Sequence, residues 1–176
     1  MRAPTLLRLI ELHGEPAEMA ALQSVLEAAP DYFDRTVGLP PGPAEAQSLF
    51  TDLPPGRNYD DKVVWGFYSG DEMIGCAEVI RGWNAPHKTI IGLLLLAEPW
   101  QRQGLGRAFA TLVEQKIAGW PGMTTVRIAV LASNGGALAF WHRLGYAETG
   151  ESRPPEPPYI ATRIVLEKRI APAALW

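Results

Sequence analysis

Across Gln101-Arg102-Gln103-Gly104-Leu105-Gly106-Arg107-Ala108 the sequence changes its hydrophobic period, and no other stretch restricts the fold so tightly. Upstream, residues 89–97 form a continuous apolar run, the pattern of a strand covered on both faces. Downstream, residues 105–120 take helical spacing, with Leu105, Phe109, Leu112, Val113 and Ile117 as one stripe. A strand therefore passes into a helix through a turn holding two glycines, where backbone can approach a ligand with no Cβ in the way. The first helical turn leaves N–H groups without intrahelical acceptors, and the helix dipole adds positive charge, so the junction suits a phosphate or pyrophosphate. Arg102 and Arg107 strengthen that field. A plain strand-to-helix turn that needs glycine for its geometry would carry the same pair.

Two well-known phosphate loops do not fit. A P-loop requires Gly-Lys-Ser/Thr at the helix start, and this chain has Gly106-Arg107-Ala108. A dinucleotide fingerprint needs a third small residue where Phe109 stands, and an acidic residue ending the next strand, where Leu131-Ala132-Ser133 supplies none. A coenzyme A pyrophosphate is the remaining candidate.

The rest of the chain supports one α/β (α+β) domain with a mixed sheet over residues 1–176. Strand-like segments fall at 6–12, 62–68, 72–81, 124–131, 147–150 and 160–168, with Ser69-Gly70-Asp71 as a tight hairpin turn. Helical spacing follows Pro16 through Met19, Leu22 and Leu26, and recurs over residues 135–144 before Gly145. Residues 30–61, rich in Pro and Gly, read as an irregular segment with one short helix near 44–50, bordering a binding surface. A formal net charge of −3 argues against a nucleic-acid module held by a basic face. The single cysteine, Cys76, precludes an intrachain disulfide and a cysteine metal cluster. With no apolar run long enough to span a membrane, and Arg8 interrupting the early apolar residues, the expectation is a cytoplasmic protein with no membrane or nucleic-acid partner.

Gln101-x-x-Gly104-x-Gly106 resembles the Q/R-x-x-G-x-G/A motif of the GCN5-related N-acetyltransferases. Downstream, Asn134-Gly-Gly-Ala137-Leu-Ala-Phe140-Trp141, continued to Gly145-Tyr146, resembles that family's second signature, in the family's order. The resemblance is strong over residues 63–168. It implies a mostly antiparallel mixed sheet of about seven strands with a central splay, helices on both faces, and pantetheine entering the splay. It further implies acetyl-CoA and no metal. Main-chain groups of Leu94, Leu95 and Leu96 would bond pantetheine. Gln101, Arg102, Gln103, Gly104, Leu105, Gly106, Arg107 and Ala108 would cradle the pyrophosphate, with Ala137, Phe140 and Trp141 lining the cofactor side. Asn134 would reach the cofactor, although asparagine also favours a helix N-cap.

The implied reaction is direct attack of a primary amine, on a small molecule or peptide, on the acetyl thioester. Such an amine must lose a proton, and Glu78, Glu98 and the loop residue His87 are candidate bases. For Glu78 the competing expectation is a solvent-facing strand residue, and for Glu98 a cap or a salt bridge to Arg102. Trp141 stands where many members carry a tyrosine, and an indole N–H cannot act as an acid. That substitution keeps two alternatives open: a catalytically silent acyl-CoA-binding module, and O-acetyl or longer-acyl transfer. The acceptor is expected against Tyr32, Phe33, Tyr59, Trp83 and Tyr159, with the 154–159 loop closing the pocket and Asp31, Asp34, Asp60 and Asp61 making that side acidic. A homodimer through the last strands or the 170–176 tail is one expectation, and a tail covering its own sheet is the other.

Overall fold

The computed structural model describes residues 6–172, so the 170–176 tail falls largely outside the described residues. Its strands are β1 (Leu7–Glu11), β2 (Lys62–Ser69), β3 (Glu72–Arg81), β4 (Lys88–Leu96), β5 (Thr125–Leu131), β6 (Ala147–Arg153) and β7 (Arg163–Arg169). They form one seven-stranded sheet in the order β1-β2-β3-β4-β5-β7-β6. Every pairing is antiparallel except β4 with β5. That parallel pair is joined through α4 (Leu105–Ala118), the crossover that parallel strands require.

Helices cover both faces. On one, α4 buries Phe109, Ala110, Val113 and Ile117 against Trp65, Phe67, Val79 and Val126, and α5 (Gly135–Arg143) adds Trp141. Phe67 and Phe109 stack with ring centroids 4.4 Å apart. On the other face, α1 (Pro16–Glu27) and α2 (Pro30–Val37) bury Leu22, Leu26 and Phe33 against Val64, Cys76, Leu93 and Leu95. Fully burying each large apolar side chain contributes roughly 1.5–3 kcal/mol, so both layers hold the sheet.

Three expectations are corrected. Residues 30–61 are largely ordered into α2, α3 (Glu45–Thr51) and a 3-10 turn, Tyr59–Asp61. Pro30 supplies the preset φ of a first helical residue, and Gly38, at φ 72°, supplies a left-handed stop. β6 runs on to Arg153, past the expected end at 150, and bulges between Glu148 and Ser152. β7 begins at Arg163 rather than 160, because Ile160 is tied by its N–H to the Thr36 carbonyl of α2.

Candidate active site

β4 and β5 are in register only from Lys88–Thr125 to Ile91–Ile128; beyond that the strands separate. The separation begins where β4 carries an irregularity against β3, with Glu78 opposite Leu93 and Val79 opposite Ile91. Gly92 is the extra residue. The bulge changes which face the side chains take: Ile91 packs in the α4 layer, whereas Leu93, two residues on, packs in the α1–α2 layer. From Gly92 onward the β5-side edge of β4 has no ladder partner, so its main-chain groups are open to a ligand that pairs like a strand. The gap is a cavity of about 290 Å³. Leu94, Val130 and Leu131 line it from the sheet, Asn134, Ala137 and Trp141 from the α5 side, and Tyr32, Thr36 and Tyr159 from the α2 side.

At the β4 end, the 3-10 turn Glu98–Trp100 leads into the glycine loop. The Gln101 amide donates to the Leu96 carbonyl at 2.8 Å, and the Gln103 amide to the Pro99 carbonyl at 2.8 Å, so both side chains hold the loop's shape. Arg102 takes φ 60° and Gly104 φ 77°, so the loop holds two left-handed residues, a backbone conformation that anion-binding nests use. Gly104 is the N-cap of α4 and makes no side-chain cap, and no acidic residue occupies the first turn. A Cβ built on Gly104 would have no atom within 4 Å, so the space beside it is open. Gly106 instead packs on Phe140, whose ring lies 3.4 Å from where its Cβ would be. Asn134 accepts the Ala137 N–H at 3.1 Å, so it caps α5 while lining the gap. Leu95 turns its side chain into the α1–α2 layer.

On the α1–α2 face, Glu78 is mostly buried rather than solvent-facing, and pairs with Lys62 at 2.5 Å. Lys62 also donates to the Asp52 carbonyl. Burial pushes the Glu78 carboxyl up; Lys62 opposes this, nearby Asp52 adds to it, and the net shift is upward. Its Oε2 would lie 3.2 Å from a Cβ on Gly92, so glycine there leaves the carboxylate room over the bulge. Glu78 lines a second recess of about 170 Å³, which shares Tyr32, Thr36, Gly92, Leu93 and Tyr159 with the gap.

Glu98 makes no salt bridge to Arg102. Its carboxylate accepts the Asp31 N–H at 3.3 Å, capping α2, and it lines neither cavity. Phe33 is a core residue that touches only the second recess. Tyr59 lines a separate concavity beside β1 and β2, and Trp83, in the β3–β4 connection, lines none of the cavities described. Asp31, Asp34, Asp60 and Asp61 line neither the gap nor the second recess, which corrects the expected source of acidity; Glu45, Asp52 and Glu78 supply it in the recess. Tyr146 is buried, with its hydroxyl donating to Glu114 at 2.9 Å in the α4 layer. Sequence reasoning missed Lys62, Gly92, Arg35 and Arg163. For Lys62 the hairpin turn at residues 69–71 misleads: its register alone would pair Lys62 with Val79, and the irregularity between Phe67 and Tyr68 shifts it to Ile80, which puts Lys62 diagonal to Glu78. Among the described residues, no three acidic, histidine or cysteine side chains group to hold a metal, and no helix is long and apolar enough to cross a membrane.

The sequence profile of the acetyltransferase (GNAT) family matches residues 18–146. Similar solved structures include an acetyltransferase from Thermus thermophilus, at 22% identity and TM-score 0.71 over 95% of this chain and 99% of that one. The ribosomal-protein-S18-alanine N-acetyltransferase of Escherichia coli is similar at 18% identity and TM-score 0.68, covering 97% of this chain and 99% of that one. A GNAT family acetyltransferase from Elizabethkingia anophelis, solved with acetyl-CoA bound, is similar at 16% identity and TM-score 0.64, covering 93% and 98%. No curated protein matches. These structures share the fold, and the profile runs from α1 through the gap and both helices that frame it. The chain belongs to the GNAT acetyltransferase family and is an acyltransferase.

Proposed function

We propose that the protein transfers an acetyl group from acetyl-CoA to a primary amine by direct attack. The observation that carries this is the gap itself: it lies along the unpaired edge of β4, the strand that leads through the Glu98–Trp100 turn to the α4 N-terminus, and it adjoins the recess lined by Glu78. The residues present fit the coenzyme. Open space beside the left-handed Gly104, first-turn N–H groups and the cations Arg102 and Arg107 suit a pyrophosphate, and the unpaired edge of β4 at Leu94 and Leu96 suits pantetheine amides.

Acetyl-CoA supplies an activated acyl carbon and a thiolate leaving group. Glu78, its proton affinity raised by burial, takes a proton from the amine directly or through a water, while Gly92 keeps the space over the bulge clear. Backbone N–H groups on the open edge of β4 stabilise the oxyanion that develops during attack. Trp141 packs against the gap from α5 and can donate a hydrogen bond, but it delivers no proton to the sulfur. Free-thiol release from acetyl-CoA across a panel of amines tests the reading. Turnover on at least one amine is expected; tight coenzyme binding without turnover on any would make the protein a binding module instead.

A further inference from the structure

We infer that the acceptor is a zwitterion, a small amine carrying a carboxylate a few bonds away, and that Arg163 and Arg35 hold the carboxylate. This rests on the amine-acetylation reading above. Both arginines line the gap, Arg35 from α2 and Arg163 from the start of β7, and no aspartate or glutamate lines it with them. The Arg163 guanidinium lies over Tyr159, 4.0 Å from the ring centroid, so the ring holds it at the gap. Its Nε is buried with no hydrogen-bond partner. The residue opposite it on β6 is another cation, Arg153. The nearby carboxylates are engaged elsewhere: Glu151 pairs with Arg127 and Arg153, and Glu167 with Lys88 and Arg127. A half-buried guanidinium with no counter-charge among the described residues is costly, and a cavity with cations of one sign concentrates anions.

The adjoining recess has the opposite character, with Glu45, Asp52 and Glu78 along its walls. Tyr32, Thr36, Gly92, Leu93 and Tyr159 are common to both spaces. An acceptor at this junction meets carboxylates on one side and a guanidinium fork on the other. Its amine turns to Glu78 and its carboxylate to Arg163, where a planar fork favours bidentate pairing. A polyamine would place a second cation beside Arg163 and Arg35.

The test compares amino acids with their carboxamides, and with aminophosphonates, at equal concentration of unprotonated amine and with acetyl-CoA saturating. Acids are expected to exceed carboxamides in kcat/KM by about 10-fold or more, the scale of one charge-assisted hydrogen bond. Arg163→Gln should abolish that ratio through the acceptor KM while leaving the acetyl-CoA KM unchanged. Arg163→Lys, which keeps charge without the fork, should restore part of it. Arg35→Gln, at an exposed position on α2, should act in the same direction and gives a variant whose folding is not in question. Aminophosphonates outrunning the acids would overturn the carboxylate assignment. If carboxamides or polyamines react as fast as the acids, or if the variants change only the acetyl-CoA KM, the inference fails and acetyl transfer stands. If no amine releases thiol, the underlying reading fails and this one with it.

Discussion

Burial raises the proton affinity of Glu78 and Lys62 holds it down, so the pair sets how readily the carboxylate accepts a proton beside Gly92. Glu78→Gln keeps the shape and removes the proposed base. It should lower kcat by about 100-fold or more with little change in coenzyme affinity, as read by steady-state rates and titration with CoA. Lys62→Met removes the opposing charge, so the Glu78 pKa should rise further. The acid limb of the kcat/KM profile should then move to higher pH than in the wild type. A limb unmoved in Lys62→Met would show that another group is the base. Glu78 was legible as a candidate because a carboxylate stands in an otherwise apolar strand, but its burial was not. Burial depends on α2 and α3 covering that face, and their packing involves contacts far apart in sequence.

At the scale of elements, the start of α4 combines a left-handed Gly104 with an absent cap, and each half has its own consequence. Gly104→Ala places a Cβ in open space, so its cost to stability comes from φ alone, about 1–2 kcal/mol by thermal or denaturant unfolding. The same Cβ stands in the proposed pyrophosphate cradle, so the acetyl-CoA KM should rise well beyond what that loss of stability explains, with the acceptor KM unchanged. This junction was legible because strand, loop and helix are contiguous, and local periodicity and glycine chemistry suffice to define it. α2 was not read, although Pro30 and Gly38 bracket it, because its buried face is only Phe33 and Thr36 within eight residues. Its cap comes from Glu98, distant in the chain, and that contact also explains why Glu98 faces neither cavity. The aromatics expected to meet the acceptor divide on the same ground. Tyr32 and Tyr159 meet because the Ile160 N–H ties the β6–β7 loop to the end of α2, whereas Tyr59 and Trp83 lie on elements that turn elsewhere.

Over the whole molecule, the sheet is secured at both ends and open in the middle. On the β5–β7–β6 side, buried Arg127 is held by Glu151 and Glu167, and Glu167 also binds Lys88 of β4, so the network spans the very strands that separate further along. For Glu151 the Arg127 hydrogen bond outweighs burial, and for Glu167 burial is outweighed by the Lys88 and Arg127 hydrogen bonds; both carboxyls sit below their usual range. Their stabilisation is therefore present at neutral pH and lost as pH falls through those lowered values. Glu167→Gln should cost about 2–4 kcal/mol at pH 7 in denaturant unfolding, and its difference from wild type should shrink below about pH 4. Beyond this clamp, the edge of β4 from Gly92 to Leu96 lacks the partner that a continuous sheet would give it. A ligand pairing there joins the two halves of the fold, so coenzyme binding should report as global stabilisation together with local protection. With free CoA near 100 times its Kd, linkage adds about 2.7 kcal/mol, a rise in Tm of about 5–10 °C for a domain of this size. Hydrogen exchange should slow at the gap-facing amides of residues 92–96 and at residues 102–108, while the β1 edge of the sheet stays unchanged. A raised Tm with exchange in residues 92–96 unaltered would place the coenzyme away from the gap, and the unpaired edge of β4 would then have no part in binding it.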